Sequence, residues 1–302
     1  MSTAQPFAMT PSHVMRHPGP LMFVGVLCLL VVATLVARPR HIESGLIELP
    51  SRSSLEAAPR EVGSTGWETY VKQNADAARK FVDKYRAGAQ GGPAASATSD
   101  APVHADVLFL GDSITHFMLR GGNDIPNWIG KERVLILGIP GDTCSELLYR
   151  LQVANEVPAA ISPRVVSVLI GTNDLGKEVC QGMDCARRIF VVLYDLVDRF
   201  PDAKIVVSLL LPRALGRVRQ TSAAIENGLA AVEEVNNAMR ALLHSAHRRQ
   251  VAGFERVSWV DCKDVFLAKD GTGIDAELMP DLLHPSVSGN KRWMEQCLRH
   301  AL

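Results

Sequence analysis

The chain has 302 residues, of which 47% are hydrophobic, and its formal net charge is zero. This length suits one large domain or two smaller ones, and the hydrophobic share is enough for a substantial core. Charges of both signs are interspersed without a basic stripe, which argues against nucleic acid as a partner. Six cysteines are too few for a disulfide scaffold, and no Cys-x-x-Cys pair indicates a zinc site. No metal or other cofactor is expected.

The first 37 residues differ in composition from the rest of the chain. Residues 1–20 are polar and contain four prolines, so they are predicted to form a disordered tail. Residues 21–37 are uncharged and almost wholly apolar, which indicates a single-pass membrane helix of roughly 26 Å that acts as a signal anchor. A cleaved signal peptide is the alternative. Arg16 precedes this segment and Arg38 and Arg40 follow it, which weakly favours a cytosolic position for the rest of the chain. The loop between Cys180 and Cys185 weakly favours the secretory lumen, so a single-pass membrane protein is predicted with its orientation left open.

Residues 38–63 mix proline, serine and charged residues and are predicted to be a stalk. Thr65-x-x-Glu68 forms a capping box before apolar residues at helical spacing, so residues 64–86 are predicted to be an amphipathic helix. This helix is expected to pack on the domain that follows. Residues 87–103, rich in Gly, Ala and Ser, are predicted to be a linker. The main folded domain then occupies residues 104–302.

Three short apolar runs in this domain each end at a glycine that opens a polar loop. The runs cover residues 107–110, 134–137 and 165–170, and helix-length segments separate them. Further strands are predicted at 204–211 and 257–260. This alternation predicts buried parallel strands with helices on both faces of the sheet. Ligands bind outside the carboxyl ends of such strands, so we expect the three polar loops to meet at one edge.

Candidate catalytic residues occur in these loops and near the C-terminus. Ser113 follows the first strand, and a serine at such a strand end is a candidate nucleophile. Asp281 and His284 are three residues apart, so they can share one face of a turn, where a carboxylate would orient the imidazole. Gly141 can offer its backbone N–H to a substrate, and Asn173 its side-chain amide, to stabilise an oxyanion. Each residue alone is more often structural, whereas their ordered occurrence at strand ends favours catalysis.

These blocks resemble those of the SGNH, or GDSL-type, hydrolases. The similar stretches are Gly111-Asp112-Ser113, Gly141-Asp142, Gly171-Thr172-Asn173-Asp174 and Asp281-x-x-His284. The resemblance implies a three-layer α/β/α, flavodoxin-like fold with a central parallel five-stranded sheet. It further implies a nucleophile at Ser113, oxyanion donors at Ser113, Gly141 and Asn173, a base at His284 and an orienting carboxylate at Asp281.

Within that family the chain is most similar to the catalytic subunits of intracellular platelet-activating-factor acetylhydrolase. The similar stretches include residues 106–109, 141–151 and 210–213. The resemblance implies hydrolysis of an ester with a short, acetyl-type acyl group. It does not distinguish a lipid alcohol from a carbohydrate alcohol as the other half of the ester. The loops at 119–127 and 213–220 are expected to determine which of the two alcohols is bound. Oligomeric state is not indicated.

Three alternatives compete with a serine esterase of this family. An α/β-hydrolase would carry Gly-x-Ser-x-Gly, but Thr115 stands at the second glycine position. A glycosidase would use two carboxylates, and Asp112, Asp142 and Asp174 lie near the predicted edge; we interpret them as turn and helix-start residues. A membrane-tethered glycan- or lipid-binding module on an inactive hydrolase scaffold is the non-enzymatic alternative.

Cys180 and Cys185 bracket one short loop. Two free thiols are the ordinary interpretation. A disulfide in an oxidising lumen is the alternative.

Overall fold

The computed structural model describes residues 46–61, 65–89, 101–118, 133–216, 218–270 and 273–302. Its centre is a parallel sheet of five strands in the order β2-β1-β3-β4-β5. The strands are β1 (Val103–Gly111), β2 (Val134–Gly138), β3 (Ile161–Leu169), β4 (Lys204–Ser208) and β5 (Val257–Val260). This order is the flavodoxin-like one, and the predicted fold is confirmed.

Helices cover both faces of this sheet. They are α1 (Thr65–Ala89), α2 (Ser113–His116), α3 (Cys144–Gln152), α4 (Thr172–Gly176), α5 (Gly182–Arg199), α6 (Ser222–Arg248), α7 (Val287–Arg292) and α8 (Arg299–Ala301). A π-helical segment, Trp293–Leu298, joins the last two. Crossover connections between parallel strands are right-handed. The connection from β1 to β2 crosses the sheet in one direction, and the later connections cross it in the other. Helix α2 therefore lies on one face, and α3, α5 and α6 lie on the other.

The strand order fixes where the candidate loops begin. Gly111 at the end of β1 is in register with Gly138 at the end of β2 and with Leu169 at the end of β3. The chain order reverses direction at β1, because β2 and β3 lie on its two sides. In doubly wound sheets such a switch point opens a crevice at the carboxyl edge. The loops that carry Ser113, Gly141 and Asn173 therefore leave the sheet side by side.

Helix α1 packs against β1 and β2 through one apolar face. Trp67, Ala75, Ala78, Phe81 and Val82 are all buried, and the last three belong to the main core. The periodicity in the sequence put these residues on one face, because a helix repeats every 3.6 residues. Helix α1 is therefore a part of the folded unit, which extends from residue 46 to residue 302.

Several predicted segments lie outside the described residues. These are the tail at 1–20, the membrane helix at 21–37, the first part of the stalk, most of the linker, the loop at 119–127 and the side chain of Thr65. Among the described helices, none is both long enough and apolar enough to cross a membrane. The described part of the predicted stalk, residues 46–61, contacts α3, α5 and α6.

The prediction of free thiols at Cys180 and Cys185 is wrong, because the structure joins them in a disulfide. Cys180 lies in the turn after α4 and Cys185 in the first turn of α5, with 5.1 Å between their Cα atoms. A second disulfide, Cys262–Cys297, was not predicted, because 35 positions separate its cysteines and no local pattern pairs them. Cys144 is free and buried.

Candidate active site

Ser113 is the first residue of α2, directly after the carboxyl end of β1. Asp112 caps this helix, because its Oδ1 accepts the backbone N–H of Ile114 at 2.9 Å. Strand β1 ends on Gly111, where a Cβ would lie 2.3 Å from the carbonyl oxygen of Leu169 on β3. A side chain at Gly111 would push the two strands apart, so glycine is required where the chain turns into the helix of Ser113.

Two hydrogen bonds in series connect Ser113, His284 and Asp281. His284 Nε2 lies 2.8 Å from Ser113 Oγ, although the two residues are 171 positions apart in the sequence. His284 Nδ1 lies 2.7 Å from Oδ2 of Asp281. The other carboxylate oxygen, Oδ1, accepts the backbone N–H groups of Leu283 and His284 at 3.1 and 2.7 Å. The structure therefore brings together the three residues that the sequence proposed as a triad.

The turn between Asp281 and His284 contains a strained residue that the sequence did not reveal. Leu282 has a φ of 57°, in the left-handed region, which costs a bulky residue about 1–3 kcal/mol. Its side chain is buried, its N–H donates to the Met279 carbonyl and its carbonyl accepts the Ala214 N–H, both at 2.9 Å. These contacts hold the backbone in a shape that places the carboxylate beside the imidazole.

The surroundings of Asp281 keep its carboxylate ionised. Partial burial alone would raise the pKa of Asp281, but hydrogen bonds from the side chain and backbone of His284 and from the Leu283 N–H outweigh it. The pKa consequently lies well below its usual range. Arg219 also approaches the carboxylate, with 3.3 Å between Nη1 and Oδ2. An anion at Nδ1 holds the imidazole proton there, which leaves Nε2 free to accept the Ser113 hydroxyl.

The two other predicted site residues, Gly141 and Asn173, lie in the neighbouring loops after β2 and β3. Gly141, in the turn after β2, has a φ of 81°, which favours glycine. Among the described residues no group accepts its backbone N–H. Asn173 lies in α4 after β3, and its Nδ2 donates to the carbonyl oxygen of Asp142 at 2.9 Å. A side-chain amide has two N–H donors, so this bond leaves Asn173 a second one.

A fully buried arginine holds these loops in place through hydrogen bonds and ion pairs. Arg150 of α3 donates to the carbonyl oxygens of Gly111 and Leu137, at 3.1 and 2.6 Å. It also forms ion pairs with Asp142 and Glu156, each at 2.6 Å. The guanidinium therefore connects the ends of β1 and β2 with the turn of Gly141. Charged residues are almost never fully buried unless they are paired. The partners of Arg150 have no signal in the sequence.

Three buried carboxylates, Asp112, Asp142 and Asp174, follow the three strand ends. Burial raises the pKa of Asp112 to about 7 and that of Asp142 to about 6, and it also raises the pKa of Asp174. Each bonds to a structural group: Asp112 to α2, Asp142 to Arg150, and Asp174 to the N–H of Cys144 at 2.9 Å. These contacts support helix-start roles for Asp112 and Asp174 and a structural role in the turn for Asp142, rather than a glycosidase pair.

An open cleft of about 320 Å³ adjoins the imidazole of His284. Its lining is mainly apolar and comprises Phe117, Pro280, Asp281, His284, Pro285, Ser286, Val287 and Asn290. The ring of Phe117 meets that of His284 edge-on, with 5.2 Å between their centroids. Within the part of the chain that the structure describes, no three His, Cys, Asp or Glu side chains are grouped to hold a metal ion. Because its lining is mainly apolar, the cleft is suited to an organic substrate group beside the imidazole.

Comparison with known families gives this geometry its context. The model of the GDSL-like lipase/acylhydrolase family matches residues 109–292, which is more than half of the chain. The chain belongs to this family. As a GDSL-like acylhydrolase it is a carboxylic ester hydrolase, and the family predicted from the four sequence blocks is confirmed.

Several solved structures are similar to this GDSL-like hydrolase at low sequence identity. A Streptococcus pneumonia protein described as a platelet activating factor is 21% identical, with a TM-score of 0.48, over 78% of this chain and 99% of its own. A GDSL-like lipase from Bacteroides thetaiotaomicron is 18% identical, with a TM-score of 0.48, over 76% and 97%. A carbohydrate acetylesterase from Sinorhizobium meliloti is 18% identical, with a TM-score of 0.44, over 65% and 95%. No curated protein matches the chain.

Proposed function

We propose that this acylhydrolase is a serine esterase that works through an acyl-enzyme, with Ser113, His284 and Asp281 as its triad. The observation that carries the proposal is the pair of hydrogen bonds that runs from Ser113 Oγ through the imidazole to the Asp281 carboxylate. A serine hydroxyl is a weak nucleophile until an adjacent base accepts its proton. Here the base and its orienting carboxylate lie at hydrogen-bond distance.

In the first half of the reaction, Ser113 Oγ attacks the ester carbonyl while Nε2 of His284 takes the hydroxyl proton. The carbonyl oxygen becomes an oxyanion, for which the N–H groups of Ser113 and Gly141 and the amide of Asn173 are the proposed donors. The imidazolium, stabilised by Asp281, then protonates the leaving alcohol. In the second half, water attacks the acyl-enzyme while His284 takes its proton, and the imidazolium then returns that proton to Ser113 Oγ as the acid product leaves.

The substrate is proposed to be a small ester with a short, acetyl-type acyl group. Support comes from the sequence resemblance to acetylhydrolase subunits. The mainly apolar cleft is lined in part by His284, the residue proposed to protonate the leaving alcohol, so it is suited to the alcohol half. Both lipid and carbohydrate alcohols have faces that fit a cleft lined by phenyl and proline rings.

A chain-length series with p-nitrophenyl esters tests this function on the full chain. We expect hydrolysis of the acetate, with kcat/KM decreasing from acetate to octanoate, and covalent labelling of Ser113 by a serine-directed phosphonate. Mass spectrometry of the labelled peptide identifies the residue. A folded protein that neither turns over the esters nor takes the label would favour the binding module instead. A preference for octanoate would retain the esterase but contradict the short acyl group.

The two disulfides bear on where the catalytic domain folds. Disulfides form and persist in oxidising compartments and are rare in the cytosol. We therefore propose that residues 46–302 lie on the oxidising side of the membrane that residues 21–37 are predicted to cross. The two disulfides support the secretory lumen over the cytosol for this domain.

Differential alkylation tests the pairing. We expect iodoacetamide, applied to the protein denatured without reductant, to modify Cys144 and to leave Cys180, Cys185, Cys262 and Cys297 unmodified. The same four residues should react once dithiothreitol has been added. Peptide mapping by mass spectrometry measures each site. Modification of Cys180 and Cys185 before reduction would contradict both the pairing and the proposed compartment.

A further inference from the structure

Residues 46–61, which we call the N-terminal arm, run across three helices and end at the active-site edge. The arm starts at α6, where Ser245 Oγ donates to the Ile47 carbonyl at 2.8 Å. It continues over α5, where Arg52 pairs with Asp198 and lies 4.5 Å from the ring centre of Tyr194. At α3 the Ala58 N–H donates to the Ser145 carbonyl at 3.2 Å. The arm thereby delivers Arg60 to the turn that contains Gly141. This contact involves residues far outside the stretch that matches the family model.

Arg60 donates hydrogen bonds to two residues of that turn and to one residue of the helix that follows it. Its Nη2 donates to the Pro140 carbonyl oxygen and to Oδ1 of Asp142, both at 3.1 Å. Its Nε donates to Oε1 of Glu146 at 2.8 Å. The guanidinium also lies against the glycine itself, since a Cβ at Gly141 would be 3.3 Å from Nη2. The side chain is only partly exposed, at 24% of its full area, so solvent does not surround these bonds.

The carbonyl that Arg60 holds belongs to the same peptide group as the proposed oxyanion donor. The Pro140 C=O and the Gly141 N–H are the two ends of one planar amide, and they point in opposite directions. A bond that fixes the carbonyl therefore fixes the direction of the N–H. A cationic donor on the oxygen also polarises the amide, which strengthens the N–H as a donor.

The other groups that Arg60 contacts have further partners. Asp142 keeps Arg150 at 2.6 Å and the indole N–H of Trp67 at 2.7 Å. Glu146 accepts the Thr143 N–H at 2.7 Å. In contrast, the Pro140 carbonyl has no other hydrogen-bond donor among the residues that the structure describes. The contribution that Arg60 alone makes is therefore to the peptide of the oxyanion donor.

We propose that Arg60, at the end of the N-terminal arm, is a positioning residue that aims and polarises the Gly141 N–H, whereas the rest of the arm only anchors it to the fold. The inference rests on the proposed serine-esterase function. Arg60 acts through the Pro140–Gly141 peptide and does not itself need to touch the substrate.

Steady-state kinetics on Arg60→Ala and Arg60→Lys, with p-nitrophenyl acetate, test the inference. Loss of an oxyanion donor costs about 100- to 1000-fold in kcat, so an indirect loss of its alignment should cost about 10-fold, with KM nearly unchanged. Lysine can still donate to the Pro140 carbonyl, so Arg60→Lys should recover a part of kcat. Millimolar guanidinium chloride should partly restore Arg60→Ala and leave the wild type unchanged.

The matched control is Arg52→Ala, which loses an arginine of the same arm at its contact with α5. This variant should keep the kcat of the wild type, and its thermal midpoint shows how far the arm as a whole has loosened. An Arg60→Ala variant with wild-type kcat would overturn the inference, as would an equal loss of kcat in Arg52→Ala. Absence of turnover in the wild type would instead overturn the proposed function itself, and the inference with it.

Discussion

Replacement of Ser113 by alanine should lower kcat for p-nitrophenyl acetate by about 10,000-fold or more, because the nucleophile of a triad has no substitute. The fold should be retained. Ser113 Oγ bonds to His284, and α2 keeps its cap because Asp112 accepts the Ile114 N–H independently of the serine. Stopped assays at high enzyme concentration measure the residual rate, and circular dichroism checks the fold.

Ser258→Ala on β5 is a suitable control, since it makes the same chemical change in the edge strand farthest from β1 in the sheet order. It should keep full activity. A Ser113→Ala variant that retains a tenth of the wild-type rate would exclude Ser113 as the nucleophile. Within the triad, Asp281→Asn should reduce kcat less than His284→Ala, because the carboxylate orients the base and the imidazole carries the proton. The reverse order would mean that Asp281 does more than orient His284.

Replacement of Arg150 by methionine should lower the free energy of unfolding by about 3–5 kcal/mol, the usual cost of removing one partner from a buried ion pair. The variant would leave the buried Glu156 and Asp142 without their main cation, and the carbonyls of Gly111 and Leu137 without a donor. Urea unfolding followed by tryptophan fluorescence measures the change.

Arg150→Lys gives a second measurement in case the methionine variant fails to fold. Lysine keeps the charge but cannot bond to four groups in different directions, so its stability should lie between those of the wild type and Arg150→Met. The matched control is Arg199→Met on α5, a partly exposed arginine that pairs with Asp195 at 3.3 Å. That change should cost much less. Equal losses at positions 150 and 199 would contradict a special role for the buried network.

The sheet and the separate blocks that carry Ser113 and Asp281-x-x-His284 could be predicted because each depends on a local pattern. Apolar runs that end at glycine identify the parallel strands, and the carboxyl ends of parallel strands share one edge. That rule alone places the loops of Ser113, Gly141 and Asn173 together. The spacing of Asp281 and His284 likewise indicates one turn, even though the left-handed conformation of Leu282 has no signal in the sequence.

The features that were missed depend on contacts between distant parts of the chain. Residues 46–61 have neither helical nor strand periodicity, so the sequence predicts a stalk where the structure has an arm that is bonded to three helices. Arg60 and Glu146 are 86 positions apart, and no local pattern links an arginine in such a segment to a helix N-terminus. The buried partners of Arg150 and the second disulfide were missed for the same reason.

The disulfide between Cys262 and Cys297 closes a covalent ring that contains both Asp281 and His284. A protease that cut one peptide bond inside this ring would not release either piece, because the sulfur–sulfur bond would still join them. His284 and Asp281 would then remain attached to β5, which is itself paired with β4 in the sheet. Such a ring offers tolerance of a nick in the segment that contains the proposed catalytic histidine.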